Sequence, residues 1–495
     1  MPYRMSIQED YNTLVERVRV PGVLGTISEL LGWDQQVMMP KGAAELRAKQ
    51  AGVLSSVKHR LFTDPQIGQI IERLENAELS DEQRAMVREI AWDYRRAVKV
   101  PNALVREIAE VTSEAEDVWE NARKNNDFAS FAPWLERIVG LLRTQAHHID
   151  PGKDPYEVLF QDYESGLSVA EANLLLNEVK EAIIPIITQY KDVLVDTGFL
   201  KRAVPQEAQL ALNKEIAAML GYDFSKGRLD ISTHPFTAGY GRITTRFEET
   251  WHMPILSTIH ESGHGMYEHD LPMNHVGTPL GEARSFAVHE SQSRLWENMV
   301  GKSPGFWKVL HPKLKENYGE ALDGVNAEML IKAVNRIEPG FIRVDADEVT
   351  YTLHILLRFQ IEQEIIGGRL PVNDIPARWN DMSQELLGIT PSTDSLGCLQ
   401  DVHWAGGAFG YFPSYALGNL MAAQQYAAAK RANPLMEEEF GRGEFSYLRA
   451  WLHDSVQQHG RRYPTKELIE RATGKPLSSV DYISYLQEKF RRIYD

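Results

Sequence analysis

From residue 82 to residue 150, apolar side chains recur every three to four positions with few glycines or prolines to interrupt them. That spacing gathers the apolar groups on one face of a helix, whereas a strand would need them at every second position. Residues 168–197, 206–220, 306–336, 350–367 and 415–431 carry the same pattern. Alternation is rare. Its clearest instance is Gly241-Arg242-Ile243-Thr244-Thr245-Arg246-Phe247, and a second is Phe341-Ile342-Arg343-Val344, so short strands are expected there. The sequence predicts a mainly α fold with a small β element. No internal repeat, low-complexity tract or Pro/Gly/Ser-rich linker divides residues 1–495, which are expected to form a single unit. A chain of this length buries a large core without help from disulfides.

Charge and cysteine usage narrow the setting. The net charge of −16 argues against nucleic acid as a partner, which calls for basic patches, and is read as favouring solubility. Cys398 is the only cysteine and fits a reducing compartment. The amino terminus carries no apolar run of the signal-peptide kind, and no stretch approaches the roughly 18 uninterrupted apolar residues of a membrane span. A cytoplasmic location without membrane association is therefore expected.

The segment Ile255 to Tyr267 carries the most chemistry. His260 and His264 lie four residues apart, on one face of the expected helix, where both imidazoles can reach one cation. Glu261, beside the first histidine, is placed to take a proton from the water that such a metal activates. The approach Pro254 to Ile259 is apolar, so the helix is expected to be buried. Two unpaired imidazoles buried there would be costly, and a metal would satisfy them. A site of this kind needs a third protein ligand and an open fourth position. A second expected helix, Phe286 to Trp296, offers His289 and Glu290, with Glu282 just before it. Spacing leaves all three open.

At these residues the sequence resembles the carboxypeptidase Taq family of metallocarboxypeptidases, and the resemblance spans nearly the whole chain. It is carried by Leu31-Gly32-Trp33-Asp34-Gln35-Gln36 through Ala43 with Arg47 and Gln50, by His234-Pro235-Phe236, by the His260 to His264 motif, and by His289-Glu290-Ser291-Gln292. Ile342-Arg343-Val344-Asp345-Ala346-Asp347, Gly397 to Trp404, Gly410 to Tyr415, and Thr473 to Leu477 with Tyr485-Leu486 complete the series. One position departs: Tyr240 stands where the family's Asp-x-Arg-x-Thr has its acidic residue, leaving Arg242 and Thr244 in place. The resemblance implies a two-lobed helical fold with a deep groove, akin to angiotensin-converting enzyme and neurolysin. It also implies metal-dependent release of carboxyl-terminal residues from peptides with broad specificity, one zinc per subunit with cobalt able to substitute, and a homodimer. It places Glu290 as the third ligand.

Further roles follow from the resemblance and from the chemistry of peptide hydrolysis. His234 and Tyr415 are candidates to stabilise the developing oxyanion, with Tyr411 a close rival. Read alone, His234 would be a loop histidine capping backbone, and Tyr415 a core tyrosine with one bonded hydroxyl. A free α-carboxylate is best held by the planar fork of an arginine. Arg343 and Arg242 are the candidates, although each could instead be half of a structural ion pair, with Asp345 or Asp347 the partner of Arg343. Gln400 and His403 either line the same pocket or knit the core. Residues 242–247 could pair with extended substrate as an edge strand does. The competing readings are an oligopeptidase or dipeptidyl carboxypeptidase on the same scaffold, and a silent helical binding protein. The intact His260, Glu261, His264 and Glu290 argue against the last.

Overall fold

The structure, a computed structural model, describes residues 6–495. Ser6 opens α1 (Ile7–Val37) by a reciprocal bond pair with Glu9. It is followed by α2 (Ala44–Phe62), α3 (Pro65–Glu75) and α4 (Asp81–Ala97), the last capped by Ser80 and Gln83 in the same way. The long periodic stretch continues as α5 (Asn102–Asn125) and α6 (Phe128–Ile149), broken where Pro101 and a left-handed Asn126 interrupt the helical path. Next come α7 (Pro155–Phe160), α8 (Val169–Tyr190) and α9 (Gln206–Leu220). A small sheet precedes α10 (Met253–Asp270) and α11 (Phe286–Arg294), and α11 runs on as a π-helical stretch, Leu295–Gly301. The chain then forms α12 (Pro304–Tyr318), α13 (Ala327–Val334), α14 (Tyr351–Ile366), α15 (Ile375–Leu387) and α16 (Phe412–Ala432). It ends with α17 (Met436–Phe440), α18 (Ser446–Ser455), α19 (Thr465–Thr473) and α20 (Val480–Tyr494).

The sheet has three strands, β1 (Leu229–Ile231), β2 (Thr237–Ala238) and β3 (Arg242–Thr245), in the order β1-β3-β2. Leu229 pairs in parallel with Ile243, and Thr237 pairs antiparallel with the same residue. The expected strand at 242–247 therefore exists, but it is central. With both edges occupied it has no free edge for a substrate backbone, and that expectation is corrected. The second expected strand, 341–344, is also corrected. Arg343–Asp345 form a 3-10 turn, because the Arg343 side chain is drawn inward to Asp401 and no strand lies alongside.

Apolar burial falls into two clusters. The smaller comprises Leu14 and Val18 of α1, Ile67 to Leu74 of α3, Ala85 to Ala91 of α4, and Leu280. The larger runs from α5 to α20 and encloses α10, α11, α14 and α16. A buried ion cluster joins them. Glu89 of α4 accepts from Arg284 at 2.7 Å and from Arg461 at 3.1 Å, and Arg461 also reaches Asp93 and Glu282.

Candidate metal centre and its surroundings

Helix α10 begins with Pro254 in its first turn, where a missing N–H costs nothing, and buries Ile255, Ile259, Met266 and Tyr267. Gly263, in mid-helix, would be a poor helix former on propensity alone. Here it has a packing reason: a Cβ would lie 2.7 Å from the Gln292 carbonyl oxygen, so only glycine lets α11 approach this closely. Ser285 caps α11 by accepting from Val288 N–H. On the far side, Gly418 of α16 faces Glu290, where a Cβ would stand 2.7 Å from Glu290 Cγ. Two glycines thus hold Glu290 between α10 and α16.

The result is a cluster of His260, His264 and Glu290, whose ligand atoms all lie within 4.8 Å of one another. Glu290 Oε2 is 3.8 Å from His260 Nε2 and 3.4 Å from His264 Nε2. Ligands at ~2.1 Å from an ion in tetrahedral arrangement sit roughly 3.4 Å apart, so the spacing suits a shared ion better than direct hydrogen bonds. Two imidazoles and one carboxylate form a donor set suited to zinc, cobalt or manganese. The other two possible third ligands are engaged elsewhere. His289 bonds Glu268 at 2.8 Å and stacks on His264 at 4.4 Å, while Glu282 pairs with Arg461.

The surrounding charges prepare these groups. Burial pushes the His264 imidazole down to about 3, which keeps it neutral with a free lone pair. Burial also pushes His260 down, but Glu290 and Glu297 outweigh it and hold its pKa above the ordinary histidine value. Glu290 is held well below the carboxylate range because Arg294 and the histidines more than offset its burial. Glu297, on the π-helical stretch, accepts the second nitrogen of His260 at 2.8 Å. Arg294 binds both acids, Glu290 at 2.6 Å and Glu297 at 3.2 Å, and Lys302 reaches Glu297 at 3.3 Å. Glu261 is 5% exposed, and burial raises its carboxyl above the usual value against the pull of His260 and Thr237. Thr237 donates to its Oε2 at 2.6 Å.

Five other sequence candidates form one group beside Glu290, with Arg343 and Gln400 buried and His403, Tyr411 and Tyr415 partly so. Tyr415 lies one turn before Gly418 on α16, with Tyr411 at 5.2 Å ring to ring. His403 meets the Tyr415 hydroxyl at 3.2 Å. Arg343 lies 5.0 Å from the Tyr415 ring. Its ion-pair partner is Asp401, at 2.8 Å, and not Asp345 or Asp347. Asp401 also pairs with Arg358, at 2.6 Å, so two guanidiniums share one carboxylate. Burial pushes His403 down to about 4 and His354 down to about 3, so neither adds charge. Gln400 accepts from Arg343 N–H and donates to the carbonyls of Phe341, Leu396 and Gly397, which is a knitting role. Arg242 makes different contacts: it donates to the Gly239 carbonyl at 2.6 Å and lies 5.4 Å from the Trp33 ring of α1. Tyr240, between Gly239 and Gly241, has φ 60 and sets its ring 5.4 Å from His269. His234 sits in an exposed loop, and its ring makes no hydrogen bond among the described residues. Sequence pattern does not single out Thr237, Arg294, Glu297, Arg358 or Asp401. Of these, Asp401 lies within the Gly397 to Trp404 motif, and Arg294 and Glu297 lie on or just beyond the second expected helix.

A family model described as carboxypeptidase Taq (M32) metallopeptidase matches residues 13–490. Thermostable carboxypeptidase 1 of Thermus thermophilus is 39% identical, covering 99% of this chain and 100% of its own. Carboxypeptidase 1 of Bacillus subtilis is 37% identical over 94% of this chain and 95% of its own. Among solved structures, an M32 carboxypeptidase from Deinococcus radiodurans superimposes with a TM-score of 0.94 at 38% identity, covering 98% of this chain and 99% of that one. The chain belongs to the carboxypeptidase Taq (M32) metallopeptidase family, and is a metal-dependent peptide hydrolase of the carboxypeptidase kind.

Proposed function

We propose that His260, His264 and Glu290 hold one zinc ion per subunit, replaceable by cobalt, and that Glu261 is the general base for removal of carboxyl-terminal residues from peptides with broad specificity. The observation that carries this reading is the ligand-like spacing of the three side chains, with Glu261 fixed beside them by Thr237. A divalent ion bound there supplies a Lewis acid and makes water a stronger acid. Glu261 then accepts the proton of the attacking water and returns it to the leaving amine. Its raised pKa suits both halves of that task. Glu297 accepts from His260 Nδ1–H, and this tautomer leaves the Nε2 lone pair free for the ion that Glu290 would share. Tyr415 is the favoured donor to the developing oxyanion, with Tyr411 and the exposed His234 as further donors.

Arg343 supplies the α-carboxylate subsite. Asp401 neutralises only one of the two guanidiniums it binds, and the neighbouring histidines are neutral, so one buried positive charge is left over. Such a charge is costly unless paired, and the free end of a peptide provides the partner. Arg242 belongs to the hairpin under α1, held by the Gly239 carbonyl and the Trp33 ring, and serves the substrate-binding site from there. Gln400 and His403 hold Arg343 and Tyr415 in place. The two apolar clusters are the lobes of one catalytic unit that line a groove. On the family resemblance and the single cysteine, the enzyme is a homodimer of the cytoplasm. No helix of the described residues is long and apolar enough to cross a membrane.

Product analysis of an unblocked pentapeptide, with and without chelator and beside Glu261→Gln, tests the reading. Stepwise loss of carboxyl-terminal residues that needs metal and Glu261 is expected. Internal fragments or dipeptides would replace it with the oligopeptidase reading.

A further inference from the structure

Helix α4, the loop after α3 and the end of α6 border a half-open cavity of about 510 Å³ that shares no lining residue with the His260, His264 and Glu290 cluster. Its floor is apolar. Leu74, Val87 and Ala91 come from the smaller core cluster, and Ile149 and Val158 come from the larger, so the cavity lies on the seam between them. Its walls are basic: Arg84, Arg88, Arg95, Arg96, Lys99 and Lys153 line it with only two carboxylates, Glu75 and Asp150, while Glu89 and Asp162 stand behind the lining as partners of Arg88 and Arg96. In a chain of net charge −16 this is a local reversal of sign.

Three of the six cations have carboxylate partners: Arg88 with Glu89, Arg95 with Glu75, and Arg96 with Asp162. The other three do not. Arg84 and Lys99 reach only the carbonyls of Leu79 and Ile149, and Lys153 has no side-chain bond among the described residues. Along α4 the spacing 84, 88, 95 places three guanidiniums within an arc of about 40°, and Lys99 follows just past the helix end. From residue 84 to residue 99 the row runs ~22 Å, the reach of roughly six or seven extended residues. Trp92, 38% exposed, lines the same cavity. A long basic row over an apolar floor is complementary to a chain that alternates acidic and apolar groups. An apolar floor gives nothing to a bare polyphosphate.

We infer that this seam docks an extended acidic peptide segment, with its carboxylates on the Arg84, Lys99 and Lys153 side chains and its apolar side chains on Trp92 and the floor. The test uses the full-length enzyme and a seven-residue peptide alternating Glu with Leu, acetylated and amidated so that it is not a substrate. Binding is followed by Trp fluorescence and calorimetry, with a Ser-for-Glu peptide, a Lys-for-Glu peptide and polyphosphate run alongside. Saturable one-to-one binding of the acidic peptide is expected, weakened about tenfold or more by Arg84→Glu with Lys153→Glu. The variant should keep wild-type thermal stability and activity on short peptides, and chelator should not affect docking. Equal affinity in the variant, equal binding of the Ser peptide, or binding of polyphosphate alone would overturn the proposal.

Discussion

The Glu297 carboxylate touches His260 at Nδ1, on the side away from Glu290, and Arg294 and Lys302 hold it there. A carboxylate behind a ligating imidazole fixes its tautomer and strengthens its lone pair. Glu297→Gln keeps a hydrogen-bond acceptor but loses the charge. Metal affinity is then expected to fall about 10–100-fold, read by competition with a chromogenic chelator; unchanged affinity would assign Glu297 to packing alone. At this scale the sequence was informative where the chemistry is contiguous. His260, Glu261 and His264 share one helical turn, and four-residue spacing is enough to place them together. Glu290 is different: spacing left it level with His289 and Glu282, and only the resemblance singled it out. Glu297, Thr237 and Asp401 became visible only in three dimensions, because each acts across 24 or more residues of chain or from a stretch whose π-helical turn has no sequence signature.

At the scale of elements, α11 and α16 are tied by one buried acid. Glu164 Oε1 accepts from Ala287 N–H at the start of α11 and from Ser414 Oγ at the start of α16, one residue before Tyr415. Its Oε2 has no hydrogen-bond partner among the described residues, and burial pushes its pKa up to about 7. The folded protein therefore binds this proton more tightly than the unfolded chain, whose glutamates titrate near ~4.3. Stability from this group is complete below about pH 4 and is lost as pH rises through about 7. Glu164→Gln keeps the two accepted bonds and removes the titration. The difference in urea-unfolding free energy between about pH 5 and pH 8 should shrink by roughly 1–3 kcal/mol. An unchanged pH slope would show that the carboxyl ionises normally. The helices themselves follow from periodicity, as α9 over 206–220 and α14 within 350–367 illustrate. The four-residue alternation at 341–344 misled for a physical reason: a strand needs a neighbour, and the buried pairing of Arg343 with Asp401 decided the local path instead.

At the scale of the molecule, the smaller apolar cluster has to be fastened to the body that carries His260, His264 and Glu290. Glu89 does this from α4 by receiving Arg284 and Arg461, and Arg284 is only 5% exposed. Glu89→Ala would strand that guanidinium without its partner. A loss of about 3–5 kcal/mol in unfolding free energy is expected, with earlier proteolysis in the 6–100 region than in the rest of the chain. A loss below about 1 kcal/mol would mean that apolar contact alone joins the clusters. None of this long-range pairing is written in local pattern, since Glu89, Arg284 and Arg461 stand far apart in sequence and each reads as a surface charge.

The central claim is that His260, His264 and Glu290 bind the metal on which peptide hydrolysis depends. Metal content per chain, measured beside peptidase activity in wild type, Glu261→Gln and His264→Ala, tests it most directly. About one ion per chain is predicted for wild type and for Glu261→Gln, with hydrolysis lost in the latter, and neither metal nor hydrolysis in His264→Ala. Stoichiometric metal retained by His264→Ala, or hydrolysis by metal-free protein, would contradict it.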